Sequence, residues 1–290
     1  MGRALGNSFV EGERTVLTLL NAQTVADEAL RSGALCPLTT RRFESADGEL
    51  PFEIRILDRT KERGCSKTFE NRPRANPFLP YDPALYVSHV GESHVCLLNK
   101  YPIINGHLLL VTSEFRDQRE ALDLDDFTAL VQALRVADGL VFYNSGRIAG
   151  ASQQHKHLQL VPWAAGWRPP LERWLEQEDC QELTFRHLRR QLEPDDWEDE
   201  SRLLSHYLGL LDEAKLTTDS FPLPYNLLMT RRYLVLIPRS KESFVGISVN
   251  ALGFCGALLV FSDDQAARIE SVGAMQVLAR LAGGSVGLFS

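Results

Sequence analysis

The alternation of polar and apolar residues is most informative in one stretch near the middle of the chain, which begins at His155. In an extended strand, side chains two positions apart lie on the same face. His155, His157 and Gln159 are therefore predicted to share one face, and the residues between them are predicted to face the other way. Two imidazoles and an amide are not typical of a protein core. The stretch is therefore predicted to hold a polar site on a rigid support.

The other apolar patterns predict helices and short strands. Period-two alternation or a short apolar run predicts strands at residues 52–57, 85–90, 94–99, 107–112, 140–143, 225–230 and 233–238. Helical periodicity predicts helices at residues 9–31, 124–138, 170–191, 202–216 and 264–281. This order favours an α+β protein with an antiparallel-rich mixed sheet and flanking helices.

Length, charge and cysteine content restrict the class of protein. A chain of 290 residues can form one large domain or two lobes. The net charge of −7 argues against a nucleic-acid-binding protein, which would normally have a basic face. No signal peptide is recognisable, and no apolar run reaches the roughly 18 residues of a membrane span. The five scattered cysteines are expected to be reduced thiols in a cytoplasmic protein.

Three chemistries could use the polar strand face. The two histidines could be ligands of a transition metal, although the cysteines form no CxxC pair that would support zinc. One histidine could instead be a nucleophile or a general base, while Gln159 binds an oxyanion or a phosphate. In the third interpretation both histidines are merely hydrogen-bonded. The small and polar residues 150–154 favour a functional site, because they suit a turn that approaches a ligand closely.

Two other stretches could contact phosphate groups. Residues 58–76 are polar, contain six basic residues and lack periodicity. They form either a solvated loop or a flap over a polyphosphate, since loops often supply such contacts. Asn99 and Lys100 follow a predicted strand, and an amide or an ammonium group can bind phosphate oxygens. The alternative for Lys100 is an ordinary surface lysine.

Several segments carry a more specific signal. Gly150-Ala-Ser-Gln-Gln-His-Lys-His-Leu-Gln159 closely resembles the active-site motif of the diadenosine tetraphosphate phosphorylases, or ATP adenylyltransferases, of the histidine-triad superfamily, to which galactose-1-phosphate uridylyltransferase also belongs. Similar segments follow in the expected order between about residues 50 and 261. They are Asn76-Pro-Phe-Leu-Pro80, Leu98-Asn-Lys-Tyr-Pro102, His107-Leu-Leu-Leu-Val-Thr112, Tyr225-Asn-Leu-Leu-Met-Thr230, Ile237-Pro-Arg-Ser240 and Ser248-Val-Asn-Ala-Leu-Gly-Phe254.

The resemblance implies both a fold and a reaction. The fold would be histidine-triad-like, with a nucleotidyltransferase region at 1–165 and an ATP adenylyltransferase region at 166–290 that completes the site and shares one structural unit with it. Inorganic phosphate would cleave diadenosine tetraphosphate to ATP and ADP through an adenylyl-histidine intermediate. His157 corresponds to the nucleophile, and His155 would orient the site. Gln159 replaces a third histidine of the related hydrolases, and it cannot deliver a proton at neutral pH, which suits phosphorolysis.

The resemblance also implies the substrate contacts and partners. The residues expected to bind substrate are Lys61, Asn99, Lys100, Asn144, Gly150, Ala151, Ser152, Gln153 and Asn250. Residues 150–153 would line the phosphates, partly through backbone N–H groups, and Asn144 would hold the ribose or the loop. Lys67 is an alternative to Lys61. No covalently bound cofactor and no protein-held metal are expected, although Mg²⁺ could accompany the nucleotide, and the protein is expected to be a monomer.

One departure from the family pattern affects the substrate contacts. Phe261 stands where the family usually has a lysine that touches substrate, and Arg231, Arg232 or Arg239 could compensate. Other interpretations of the same motif stay open at this stage. They are adenylyl transfer involving ADP and sulfate, hydrolysis, and a nucleotide-binding regulator that has the fold but no turnover.

Overall fold

The computed structural model describes residues 17–58, 76–177, 180 and 182–283. Lys61 and Lys67 lie outside these ranges, as does the start of the helix predicted at 9–31. No helix within the described ranges is long and apolar enough to cross a membrane. Cys36 is disulfide-bonded, so the expectation of a reduced thiol is wrong for this residue. The other described cysteines are free thiols.

The described residues form thirteen strands and seven α-helices. The strands are β1 (Thr40–Asp47), β2 (Leu50–Leu57), β3 (Tyr86–Val90), β4 (His94–Leu98), β5 (Leu108–Thr112), β6 (Gly139–Asn144), β7 (His157–Pro162), β8 (Leu188–Gln191), β9 (Tyr225–Met229), β10 (Tyr233–Pro238), β11 (Ser243–Phe244), β12 (Ile247–Ser248) and β13 (Ala257–Val260). The helices are α1 (Leu19–Ser32), α2 (Leu124–Val136), α3 (Glu172–Leu175), α4 (Glu200–Glu213), α5 (Ala251–Phe254), α6 (Asp263–Val272) and α7 (Ala274–Leu281).

An eight-stranded antiparallel sheet organises the fold. Its order is β3-β4-β5-β7-β6-β9-β10-β8, so strands from both predicted regions form one continuous sheet. A smaller sheet has the order β1-β2-β13, in which β13 runs parallel to β2. The prediction of an antiparallel-rich α+β fold is confirmed. The division of the chain at residue 165 stays a prediction.

The two faces of the large sheet bury different sets of residues. On one face, alternate residues such as Leu110 and Leu158 pack in an apolar cluster with α1, α2 and α4. On the other face, Leu109 and Val111 belong to a small cluster over β4 and β5, while Phe142 belongs to a large cluster that includes α5, α6 and α7. On this second face β7 runs between the two clusters. Its polar side chains, His157 and Gln159, form a polar strip there.

Several sequence predictions hold and others are wrong. The helix predicted at 124–138 begins after Asp123, which forms a reciprocal capping box with Asp126. The helix predicted at 170–191 is wrong, because only four of its described residues are α-helical and the segment ends in an edge strand. Leu183 and Phe185 are two positions apart and both buried, a strand-like pattern that the helical interpretation overlooked.

The helix predicted at 264–281 is divided in two at Gly273, whose φ of 91° is unfavourable for other residues.

A buried ion pair fixes β7 to α2. The side chain of Lys156 is buried on the face opposite the polar strip, where its Nζ donates to Asp126 and, at 2.8 Å, to the carbonyl oxygen of Ala121. His94 Nε2 donates to the other carboxylate oxygen at 3.0 Å. Burial would raise the pKa of Asp126, but the hydrogen bond from His94 and the charge of Lys156 outweigh it and lower the pKa to about 2. The resulting stabilisation is present at neutral pH and is lost as the pH falls towards 2.

We predict that Asp126→Asn lowers the free energy of unfolding by about 3–5 kcal/mol, because it leaves Lys156 as a buried cation without its counter-charge. Urea denaturation at neutral pH measures the loss. Asp125→Asn is the matched control, since Asp125 is exposed in the same helical turn, and it should cost less than about 1 kcal/mol. Equal losses in the two variants would show that the buried pair has no special role.

Candidate active site

His157 is the first residue of β7, and its imidazole is held in one tautomer. The ring is only 5% exposed, and Nδ1 lies 2.8 Å from the carbonyl oxygen of His155. A carbonyl oxygen only accepts, so Nδ1 must donate its proton and the lone pair lies on Nε2. No described residue forms a hydrogen bond with Nε2. Burial lowers the pKa of His157 to about 4, so the ring is neutral at physiological pH.

The backbone at His157 is held by a buried glutamine from another part of the chain. Gln118 Oε1 accepts from the His157 N–H at 2.8 Å, and Gln118 Nε2 donates to the His157 carbonyl oxygen at 3.2 Å. The same Nε2 donates to the carbonyl oxygen of Asn144 at 2.9 Å. Gln118 therefore joins the start of β7 to the end of β6, and it replaces the ladder hydrogen bonds that these residues lack.

His155 has both ring nitrogens engaged. Its Nε2 lies 2.8 Å from the carbonyl oxygen of Thr112 and 3.1 Å from that of Glu114, so Nε2 carries the proton. Its Nδ1 lies 2.8 Å from Asn76 Nδ2. Asn76 Oδ1 accepts from the Phe78 N–H, which directs the amide nitrogen towards the histidine. A histidine without a free lone pair cannot attack a substrate, which supports the orienting role predicted for His155.

Aromatic rings pack beside both histidines. Phe78 lies against His157 and His155, with ring centroids 5.2 and 5.7 Å apart respectively. Phe115 is 56% exposed and lies edge-on to His155 at 5.5 Å. These rings exclude water from the imidazoles, which explains why burial is the main cause of their lowered pKa values.

Gln159 lies on the same face as His157, as the alternation predicts. In the sheet it pairs with Leu109 of β5 and with Phe142 of β6. Its side chain is half-buried. Asn99, another predicted substrate contact, follows β4 and its Nδ2 lies 3.0 Å from Nδ1 of His107, a residue that sequence reasoning did not place in the site.

The predicted contact Asn144 holds a loop. Its Oδ1 accepts from Asn226 Nδ2 at 2.7 Å and from the Ala251 N–H at 2.9 Å. Arg239 donates to Asn226 Oδ1 and to the Val249 carbonyl oxygen, both at 2.7 Å. These buried hydrogen bonds attach the end of β6 to β9 and to residues 249–251. Of the two roles predicted for Asn144, the geometry supports the loop-holding one.

The motif residues before β7 form a tight turn against Asn250. Gly150 has a φ of 91°, and a Cβ there would meet the backbone of Asn250 at 2.8 Å, so only glycine fits. The N–H groups of Gly150 and Ala151 donate to carbonyl oxygens within the turn, at 2.9 and 3.1 Å. Both N–H groups are therefore occupied within the turn, and their contact with phosphate stays a prediction. Ser152 is exposed and Gln153 half-exposed, so they remain the available donors of the turn.

The remaining predicted contacts lie at the edges of this region. Lys100 is half-buried, and its Nζ lies 5.9 Å from the centre of the Tyr101 ring. Asn250 caps α5, because its side chain accepts from the Leu252 N–H at 3.1 Å. Within the described ranges, no three His, Cys, Asp or Glu side chains form a group that could hold a metal ion. The expectation that the protein itself holds no metal stays a prediction.

Each of the three arginines considered as substitutes for the family lysine already has a partner within the protein. Arg231 donates to the Leu134 carbonyl oxygen on the α2 side of the sheet, and Arg232 pairs with two glutamates of the α3 segment. Arg239 is buried in the network described above. Phe261 is 46% exposed at the end of β13. Compensation by one of these arginines is therefore not supported.

The chain matches two protein-family models in succession. The model described as the Ap4A phosphorylase N-terminal domain matches residues 12–177, and the ATP adenylyltransferase C-terminal domain matches residues 181–283. The first match alone covers more than half of the 290 residues. The chain belongs to the Ap4A phosphorylase family.

Individual relatives agree with this family membership. Diadenosine 5',5'''-P1,P4-tetraphosphate phosphorylase 2 of Saccharomyces cerevisiae is 32% identical over 223 residues, which are 64% of this chain and 68% of the relative. Protein APA1 of the same organism is 29% identical over 62% of this chain and 65% of its own length. The crystal structure of yeast Ap4A phosphorylase Apa2 in complex with Ap4A has the same fold, with a TM-score of 0.73 at 24% identity over 92% of this chain and 98% of that one.

The Ap4A phosphorylase fold also brings together residues that sequence reasoning missed. Asn76, Thr112 and Gln118 fix the two motif histidines, although they lie about 40 to 80 positions away in the sequence. Asn76 stands in a segment that resembles a family signature, which was the available signal. A single buried glutamine such as Gln118 has no comparable pattern around it.

We predict that His157 stays neutral, with its proton on Nδ1, from neutral pH down to about pH 5 and titrates with a pKa of about 4. The lowered value means that the charged form appears only in more acidic solution. Nitrogen NMR of ¹⁵N-histidine-labelled protein measures both the tautomer and the titration. A His157→Gln variant identifies the signals, because it lacks only those of His157. Titration near the ordinary value of 6.5 would contradict the burial argument.

Proposed function

We propose that this protein is an ATP adenylyltransferase that cleaves diadenosine tetraphosphate with inorganic phosphate, giving ATP and ADP. The observation that carries the proposal is the Nε2 lone pair of His157, which no described residue engages, on a neutral, buried ring of fixed tautomer. Such a nitrogen is an activated nucleophile that needs no separate base. The named activity of the yeast relative, diadenosine tetraphosphate phosphorylase, supports this choice of substrate.

In the first step, His157 Nε2 attacks the α-phosphorus of the substrate. A nitrogen–phosphorus bond forms, the bond from that phosphorus to the bridging oxygen breaks, and ATP leaves. The imidazole becomes positively charged in this step. Its Nδ1–H already donates to the His155 carbonyl oxygen, and that bond strengthens as charge develops on the ring. The interaction is therefore stronger in the transition state than in the resting enzyme, as catalysis requires.

In the second step, an oxygen of inorganic phosphate attacks the adenylyl group and His157 leaves as a neutral imidazole. The product is ADP, so the two steps together consume one phosphate and release ATP and ADP. Gln159 lies on the same strand face and can donate a hydrogen bond to the phosphorus-bound oxygens, but it cannot act as an acid. Activation of water would require a group that moves a proton, and so the site favours phosphate as acceptor.

The proposal extends to the setting of the reaction. Mg²⁺ would accompany the polyphosphate as part of the substrate, because it binds phosphate oxygens and keeps most of its ligands as water. The enzyme would act as a monomer. The enzyme would act in the cytoplasm. Chelation of Mg²⁺, sedimentation analysis and cell fractionation test these three points separately.

Product analysis with and without phosphate tests the proposed reaction. We expect ATP and ADP in equal amounts from diadenosine tetraphosphate, with turnover that depends on added phosphate. ATP plus AMP in the absence of phosphate would mean hydrolysis, and binding without turnover would mean a regulatory protein. Turnover that needs sulfate or ADP-sulfate would indicate the related adenylyl transfer. The His157→Ala variant is the control for contaminating activity and should form no product.

A further inference from the structure

Asn76 and Asn99 each orient a histidine through the same arrangement of two hydrogen bonds. In each case the asparagine Oδ1 accepts from the backbone N–H two positions later, at 3.0 Å for Asn76 and 3.1 Å for Asn99. This bond fixes which end of the amide is oxygen. The amide nitrogen then faces a histidine Nδ1, at 2.8 Å in the pair Asn76–His155 and at 3.0 Å in the pair Asn99–His107.

These hydrogen bonds fix the tautomers of His155 and His107. An amide nitrogen only donates, so each Nδ1 accepts and each proton lies on Nε2. For His155, the Nε2–H is used by the Thr112 carbonyl oxygen at 2.8 Å. For His107, the Nε2 is buried and has no hydrogen-bond partner among the described residues. A buried donor without a partner costs about 1–3 kcal/mol, so its presence needs an explanation.

The sheet register places this donor at the active site. Leu109 pairs with Gln159, and His107 precedes Leu109 by two positions on the same face, so His107 and Gln159 are diagonal neighbours across β5 and β7. The His107 ring also lies 5.6 Å from the Phe142 ring, and Phe142 is the partner of Gln159 on its other side. Burial lowers the pKa of His107 to about 4, and the Gln159 amide partly opposes that effect.

We propose that His107 is a positioning residue whose Nε2–H holds the side-chain carbonyl oxygen of Gln159 and turns the Gln159 amide nitrogen towards the phosphate oxygens of the substrate. The inference rests on the proposed function, because it assigns a partner to the glutamine of that site. Gln159 alone could present either end of its amide. The neutral Nε2–H of His107, by donating to the Gln159 side-chain oxygen, selects the orientation in which the amide nitrogen faces an anionic phosphate.

The neutral state of His107 matters for this role. A neutral imidazole with its proton on Nε2 has one donor to offer, and Asn99 prevents the proton from moving to Nδ1. A charged ring would instead compete with Gln159 for the phosphate. Asn99 therefore acts through His107, whether or not it also contacts substrate.

Four variants test the positioning role by steady-state phosphorolysis. His107→Leu should lower kcat about 10²-fold with little change in KM, because one positioned donor to a developing charge is misaligned. His107→Gln is the matched control, since its amide can place a donor near the position of Nε2, and it should recover most of the activity. Gln159→Ala should lower kcat roughly 10²–10³-fold. The double variant His107→Leu, Gln159→Ala should be no slower than Gln159→Ala, because the two residues act as a unit.

Four outcomes would overturn the proposal. If kcat of the double variant falls by the product of the two single-variant losses, His107 contacts substrate directly. An unchanged kcat in His107→Leu, or no recovery in His107→Gln despite normal thermal stability, would leave only a packing role. ¹⁵N NMR of the resting enzyme should show the proton of His107 on Nε2, and a proton on Nδ1 would also refute the proposal. This NMR result does not depend on turnover, so it stays informative if diadenosine tetraphosphate is not the substrate.

Discussion

The proposed chemistry depends on one hydrogen bond, of 2.8 Å, from His157 Nδ1–H to the carbonyl oxygen of His155. An imidazole that donates from one nitrogen has its lone pair on the other, so this bond decides which atom can attack phosphorus. The acceptor lies two residues earlier in the same chain segment, so local extended backbone is enough to position it. Burial then keeps the ring neutral, with a pKa of about 4. Tautomer and charge are therefore both set before a substrate arrives.

The nucleophilic role proposed for His157 requires that its strand does not shift. Gln118 holds the backbone of His157 from one side, by a donor and an acceptor on the same amide. On the opposite face Lys156 is paired with Asp126 in the apolar cluster beneath α2. Lys156, which lies between the two histidines, therefore anchors β7 to α2. A buried pair contributes little net stability compared with apolar packing, but loss of one partner is costly, so the register of β7 is strongly specified.

Sequence patterns predicted the strand face and the central helix, but not the contacts between distant residues. Alternation placed His157 and Gln159 together because a strand has a fixed period of two, and the capping signals of α2 are local. The error at 170–191 has a tertiary cause, since Phe185 is buried in the cluster behind the sheet and its segment ends by pairing with β10. Gln118 and His107 were missed because their roles depend on register and on groups about 40 or more residues away, which one sequence does not reveal.

The most direct test of the account is to trap the covalent intermediate. Diadenosine tetraphosphate labelled in its α-phosphate is supplied without inorganic phosphate, and the denatured protein is examined for label that acid removes and base does not, as expected for a nitrogen–phosphorus bond. The account predicts label on the wild-type protein and on His155→Ala, although more slowly on the latter, and none on His157→Ala. Label that survives loss of His157 but not loss of His155 would contradict the assignment, and turnover without any label would exclude the covalent route.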